Sequence, residues 1–318
     1  MSKNCLYCYK PLNEDTGQDF HEHCSMEFFG TPKPPLLEYS LNQMAELAKN
    51  IVERSIAVPG VQPKISLALL KNVMTDGNRG RLTVAGALGG NYIFKPPSEQ
   101  FPEMPQNEHV TMRIAEAFGI HTVPSSLIRL ASGELSYITK RIDRTENGGK
   151  IHMLDMFQIT EAYDKYKSSL EKIGKALNQY SANTGLDKLY FFEICIFCFL
   201  TGNNDMHLKN FSMINNSINW SLSPAYDLLN VTIVNPAGTE ELALTLEAKK
   251  KKIRLEHFIR FGHGLGLTQK QIDGVLKRFD RKKKIAIDWI SNSFLPEEYK
   301  QKYLDLLFER YSRIIETV

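Results

Sequence analysis

The chain has 318 residues, a net charge of +3, 42% hydrophobic and 24% charged residues. This allows one large domain or two small ones with a good core, in an ordinary globular composition, and the charge is too small to argue by itself for nucleic acid. No apolar run reaches the ~18 residues of a membrane span, and the start MSKNCLYCYK has no apolar signal region, so a cytoplasmic address without membrane contact is expected.

The first 36 residues form a Cys/His-containing segment. Cys5 and Cys8 make a C-x2-C knuckle, and His21, His23 and Cys24 follow. Three thiolates and one imidazole suit a tetrahedral, structural Zn2+. His21 or His23 could be the fourth ligand, and His23 is taken with Cys5, Cys8 and Cys24. The competing reading is a small hairpin with free cysteines. TPKPPLL, residues 31–37, reads as a Pro-rich linker. Residues 37–142 then carry a helix over 40–54 with Ser40 as N-cap, and a Pro59-Gly60 turn leading to alternating Ile65, Leu67 and Leu69. A glycine turn with Lys64 close behind can lay backbone N–H groups against phosphates, or can be an ordinary hairpin. Tyr92-Ile93-Phe94-Lys95 is a short strand ending before two prolines. A helix opening at Asn107-Glu108-His109 follows, and two strands are expected within 122–144 around Ser132-Gly133.

Residues 143–318 read as mainly helical. The helical part starts within 152–163, and a further helix is expected near 168–179. The apolar run Leu189 to Leu200 is a buried helix, with Cys195 and Cys198 as reduced core residues. It breaks at Thr201-Gly202-Asn203-Asn204 into a polar loop. Asp205 and Asn210 stand in the D-x4-N spacing of kinase catalytic loops, and Asp227 follows a hairpin of 211–213 and 220–222. Carboxylate and amide oxygens are hard ligands suited to Mg2+, and His207 and Lys209 lie between them. Asp and Asn near a glycine also occur simply as turn residues. Beyond Asp227 we expect a strand at 242–246, a solvated lysine turn at 249–252, and helices over 268–279, 284–294 and 296–316.

The strings GVQPKISL (60–67), YIFKP (92–96), NEH (107–109), KRIDR (140–144), GNNDMHLKNFSM (202–213) and SPAYDLLN (223–230) together resemble the HipA family of bacterial serine/threonine kinases, toxins of toxin–antitoxin operons. Among that family it looks most like the shorter HipT type. The resemblance implies an α+β, two-lobed, protein-kinase-like fold with a β-rich N-lobe and a helical C-lobe. It implies ATP and Mg2+ as cofactors, with Asp205 as general base and Asn210 and Asp227 as Mg2+ ligands. Lys95 would bind ATP phosphates with Glu108 as ion-pair partner, and Lys64 and His207 would lie near the phosphates. Lys140 to Ile142 would lie near the adenine, and Gly60, Val61 and Gln62 would form the phosphate loop. The implied substrate is an aminoacyl-tRNA synthetase. The implied partners are antitoxins of the same operon, one of them supplying an absent N-terminal subdomain, with DNA reached only through an antitoxin. Ala57 stands where the family has an autophosphorylated serine, which leaves Ser55 as the nearest acceptor. The rival reading is a degenerate kinase fold that holds antitoxin or DNA partners without phosphoryl transfer.

Overall fold

The structure, a computed structural model, describes residues 4–12, 18–54, 64–70, 81–84, 90–101, 103–145, 147–236 and 238–315. They fall into two units, Met1–His109 with Val123–Gly149, and Val110–Thr122 with Lys150–Val318.

The first unit is built on a five-stranded antiparallel sheet. Its strands are β1 (Ile65–Leu70), β2 (Arg81–Val84), β3 (Tyr92–Lys95), β4 (Ser125–Arg129) and β5 (Leu135–Lys140), in the order β2-β1-β3-β5-β4. The middle strand β3 pairs Phe94 with Ile65 on one side and with Ile138 on the other. Successive side chains alternate between faces, so Tyr92 and Phe94 share one face while Lys95 takes the other. Pro96 and Pro97 then end the strand, because neither can donate to a ladder. Helix α1 (Glu22–Phe29) lays Phe28 and Phe29 against Tyr92, with ring centroids 5.9 and 6.3 Å away. Helix α2 (Leu41–Arg54) begins as expected: Ser40 Oγ accepts from Gln43 N, and Gln43 Oε1 accepts from Ser40 N at 2.8 Å. The Pro-rich stretch expected to be a linker is instead docked. Leu37 is buried, and Leu36 O accepts from Leu82 N of β2 at 2.9 Å.

Helix α3 (Met104–Phe118) counts with the first unit up to His109 and with the second beyond it. Within the second unit its end is held by Phe118, edge-on to Phe197 and Phe279, and by Thr111 Oγ1 bonded to Tyr303. There a three-stranded sheet, β6 (Met153–Asp155), β7 (Ser212–Asn215) and β8 (Trp220–Leu222), has β7 in the middle. The hairpin around Asn215-Asn216 is as expected. Residues 153–155, expected to open the helical part, form β6 first, and the short helix α4 (Met156–Ile159) follows, capped by Asp155. Next come α5 (Leu170–Tyr180), α6 (Thr184–Leu200), α7 (Val231–Val234), α8 (Leu255–Gly264), α9 (Gln269–Ser291) and α10 (Glu297–Ile314). The two helices expected over 268–279 and 284–294 are one helix, α9 (Gln269–Ser291), since 279–284 holds no Pro or Gly to break it. Residues 242–246 form only isolated bridges, Ser169 with Thr245 and Leu246 with Lys249, and not a strand.

Helix α6 is the scaffold of this unit. Every residue from Phe191 to Leu200 is buried, and burying each aromatic or aliphatic side chain is worth roughly 1.5–3 kcal/mol. Its two buried acids are both engaged. Asp187 accepts from Leu222 N at 2.7 Å and so ties the helix to β8, and Glu193 pairs with Arg278 of α9 at 2.7 Å. Cys195 and Cys198 sit inside this helix at 2% exposure, and burial pushes both thiols far up. The helix ends in a Schellman motif. Gly202 takes φ +70°, its N–H reaches Phe199 O at 3.3 Å, and Asn203 N reaches Cys198 O at 2.8 Å. A Cβ at Gly202 would meet Leu306 and would stand 2.8 Å from Asn230 Oδ1. Gly202→Ala is therefore expected to cost about 2–4 kcal/mol, from left-handed strain plus overpacking, read as a lower midpoint in urea unfolding.

Candidate active site and metal cluster

In the first unit, Lys95 and Glu108 are brought together. Lys95 Nζ lies 2.6 Å from Glu108 Oε1, and both side chains are almost wholly buried. The strand end supplies the ammonium and the opening of α3 supplies the carboxylate. Tyr137, the cross-strand partner of Lys95, places its ring 5.2 Å from the same Nζ. A buried charge needs such partners, and removing one is far more costly than the net worth of the pair. Lys64 precedes β1 and is exposed. Lys140 closes β5 with its Nζ 5.6 Å from the Phe28 ring. Ile142 is half-buried in the turn after it. That turn is clamped by Asp143, which bonds Arg141 and Arg144 at 2.6 Å each. Desolvation pushes the Asp143 carboxyl up, but the two guanidiniums outweigh it and hold its pKa below the usual range. Gly60, Val61, Gln62 and Ser55 lie outside the described residues.

In the second unit, the Schellman end of α6 delivers the polar loop. Asn203 is its pivot: its Oδ1 accepts from Asp205 N at 3.3 Å and its Nδ2 donates to Asp227 O at 3.3 Å. One side chain thus ties together two acids that are 22 positions apart in sequence. Asp205 O accepts from His207 N at 2.9 Å and from Asn210 Nδ2 at 3.1 Å. A 3-10 turn, Leu208–Asn210, carries Asn210 into β7. Tyr226 bonds Ser212 and donates to Lys209 O at 3.1 Å, which holds the segment before Asp227 against β7. Asp227 itself sits at φ +55°, a left-handed conformation uncommon for a residue with a Cβ. Asp205, Asn210 and Asp227 are therefore parts of one hydrogen-bonded loop cluster. His207 is buried there, and its Nδ1 finds no hydrogen-bond partner among the described residues. Burial lowers its pKa, opposed by Asp205 and assisted by Lys165, so the imidazole is neutral near pH 7.

One participant was not read from the sequence. Tyr166 donates its hydroxyl to Asp205 Oδ1 at 2.7 Å, and its ring packs edge-on to His207 with centroids 5.0 Å apart. Nothing in the local pattern pairs a tyrosine 39 positions upstream with Asp205. The donor chemistry of the loop cluster fits a hard divalent cation. The Nδ2 of Asn210 is engaged by Asp205 O, which assigns the amide oxygen to any metal, and Asp227 contributes a carboxylate.

A second cluster lies in the first unit. Cys5, Cys8, Cys24 and His21 bring one ligand atom each to within 4.8 Å of one another. His21, not the expected His23, completes it. His21 is the N-cap of α1, with its Nδ1 3.4 Å from Cys8 Sγ and 3.8 Å from Cys24 Sγ. His23 is exposed on the helix, stacks on His21 with ring centroids 5.1 Å apart and brings its Nε2 to 3.3 Å from Cys24 Sγ, but the four-atom cluster is made with His21.

Glu108→Ala would leave the buried Lys95 ammonium without this carboxylate. It should destabilise the protein by about 3–5 kcal/mol in urea unfolding, with Glu108→Gln losing less.

Residues 56–287 match the family model of the HipA-like C-terminal domain. A Haemophilus influenzae protein named "Putative kinase" is 25% identical over 97% of this chain and 95% of its own length. "Putative kinase Y4dM" of Sinorhizobium fredii is 34% identical over 71% of this chain and 56% of its own length. The serine/threonine-protein kinase toxin HipA of Shewanella oneidensis is 24% identical, and the chain spans 55% of it. Among solved structures, the Shewanella oneidensis MR-1 complex of HipA, HipB and operator DNA matches 86% of this chain and 72% of its own, with a TM-score of 0.69 at 21% identity. The Helicobacter pylori proinflammatory kinase CtkA matches 71% and 88%, with a TM-score of 0.53 at 19% identity. The fold is thus the kinase-like α+β fold expected, and the chain belongs to the family of the HipA-like C-terminal domain.

Proposed function

We propose that the chain is a Mg2+- and ATP-dependent protein serine/threonine kinase. The observation that carries this is the loop cluster in which Asn203 ties Asp205 to Asp227 while Asn210 is anchored on Asp205. Asn210 and Asp227 would hold Mg2+, which when bound supplies positive charge against the phosphate oxygens. The chain's own residues do the rest. Asp205 accepts the proton of a serine or threonine hydroxyl and orients it for attack. Lys95, fixed in its rotamer by Glu108, offers its ammonium to the ATP phosphates. Neutral His207 offers a ring nitrogen beside the same loop. Lys64, Lys140 and Ile142, with Gly60, Val61 and Gln62, would border the nucleotide. Ser55 is the nearest serine for autophosphorylation. Catalysis of this kind is mostly positioning and preorganised electrostatics, which suits groups held by backbone hydrogen bonds.

The same reading extends to the partners. The Shewanella structure contains HipB and operator DNA, which supports an antitoxin as partner of this chain and DNA contact through that antitoxin. An aminoacyl-tRNA synthetase is the proposed substrate, a toxin of a toxin–antitoxin pair the proposed biological role, and the cytoplasm the proposed site of action. No helix among the described residues is long and apolar enough to cross a membrane.

Transfer of labelled γ-phosphate from ATP to proteins of a bacterial lysate tests the chemistry. Asp205→Asn should lower the label by about 10²–10⁴-fold, the usual contribution of a general base, while the variant stays folded. Unchanged labelling would remove Asp205 from its role. Mg2+ with ATP should raise the melting temperature of the unsubstituted chain, since a ligand of the folded state alone stabilises it. That rise should shrink in Asp227→Ala. A rise in melting temperature with no Asp205-dependent label would favour a kinase fold used only for binding.

A further inference from the structure

The geometry points to a structural Zn2+ site made by Cys5 Sγ, Cys8 Sγ, Cys24 Sγ and His21 Nδ1, which fastens the N-terminal segment to the sheet and helix that carry Lys95 and Glu108. Four arguments support it, and none depends on the kinase chemistry.

The first is distance. Around a tetrahedral zinc with Zn–S near 2.3 Å and Zn–N near 2.0 Å, neighbouring ligand atoms stand roughly 3.5–3.8 Å apart. His21 Nδ1 lies 3.4 Å from Cys8 Sγ and 3.8 Å from Cys24 Sγ. The four atoms converge without a disulfide, all three cysteines being free thiols.

The second is the state of the imidazole. His21 Nε2 lies 3.0 Å from Pro11 O, a carbonyl that can only accept. Nε2 is therefore the donor to Pro11 O, and Nδ1 is the nitrogen left facing the sulfurs. A metal-bound histidine is held in the same way by the group behind it.

The third is the knuckle. Cys5 N donates to Lys10 O at 2.9 Å, Tyr9 N donates to Cys5 O at 3.0 Å, and Tyr9 turns through φ +62°. This tight turn folds the C-x2-C interval back on itself and brings the Cys5 and Cys8 sulfurs within 4.8 Å of each other, the arrangement of a zinc knuckle.

The fourth is what the segment holds. Leu127 N of β4 donates to Leu6 O at 3.4 Å, Leu6 N donates to Asp19 O at 2.9 Å, and Arg129 pairs with Asp19 at 3.3 Å. Tyr7 donates to Glu27 at 2.7 Å, and the Tyr9 hydroxyl bonds His109 Nδ1 at 2.8 Å. His109 directly follows Glu108. In small zinc modules the metal supplies much of the order of a short segment, and Zn2+ would do the same for this one.

The test uses the full chain, purified with zinc in the medium and dialysed against a weak chelator. Metal analysis should find about one zinc per chain, the content of one closed four-ligand site. His21→Ala should lose most of it and His23→Ala should keep it. Exchange for Co2+ should give the strong visible bands of a tetrahedral thiolate site, a readout on the unsubstituted protein that survives misfolding of any cysteine variant. Removal of zinc by a strong chelator should lower the melting temperature. A chain purified without zinc that also gives no thiolate–cobalt bands overturns the site. Loss of zinc in His23→Ala with retention in His21→Ala overturns the ligand set. Neither readout involves phosphoryl transfer, so failure here is separate from failure of the kinase reading.

Discussion

A buried helix must give up its last carbonyls somewhere, and in this protein the way α6 does so organises the rest. From Phe191 to Leu200 there is no exposed side chain, so the helix cannot end in water. Gly202, in the left-handed region, returns two N–H groups to Phe199 and Cys198 and reverses the chain within one residue. Its own carbonyl is taken by Thr232, through backbone N at 3.2 Å and Oγ1 at 3.0 Å. The polar loop therefore leaves from a fixed point and in a fixed direction, and Asn203, the next residue, can reach both Asp205 and Asp227. The apolar helix provides rigidity and the glycine provides the turn.

The first unit meets the same demand for rigidity by other means. A lysine on a central strand is ordinarily a liability, since its charge must be desolvated. Here the strand ends at Lys95 because two prolines follow. The ammonium is met at once by Glu108 and by the face of Tyr137. A pair buried so deeply is poorly screened by salt, and the geometry of both partners is set by backbone elements and not by flexible surface stems.

Much of this was legible because it is local in sequence. The D-x4-N spacing, the Lys95 strand followed by prolines, the acid opening α3 and the 211–222 hairpin each depend on residues within a few positions of one another, where period and turn chemistry speak clearly. What was missed depends on distant neighbours or on helix phase. Tyr166 reaches Asp205 across 39 positions. His21 and His23 differ only in which side of a helix start they face, and spacing alone could not separate them. The two helices expected over 268–279 and 284–294 run on as one because the lysines and arginines between them are good helix formers. The strand expected at 242–246 alternates too weakly to find a partner strand. The turn bearing Gly60 and Gln62 lies outside the described residues, so its reading remains one of sequence.

The two C-x2-C pairs show how little a spacing says without its backbone. In α6, Cys195 and Cys198 are one turn apart on a helix and surrounded by hydrocarbon, so their sulfurs stay protonated and sheltered. At the N-terminus the same interval is bent into a knuckle, with a third thiol and an imidazole gathered beside its sulfurs. A soft electrophile that meets the native fold therefore distinguishes two populations of thiol within one chain. The N-terminal sulfurs respond at a rate set by whatever occupies their centre, and those of α6 respond only when the second unit opens. The cysteines thus form an internal pair of clocks, one for the N-terminal knuckle and one for opening of the second unit.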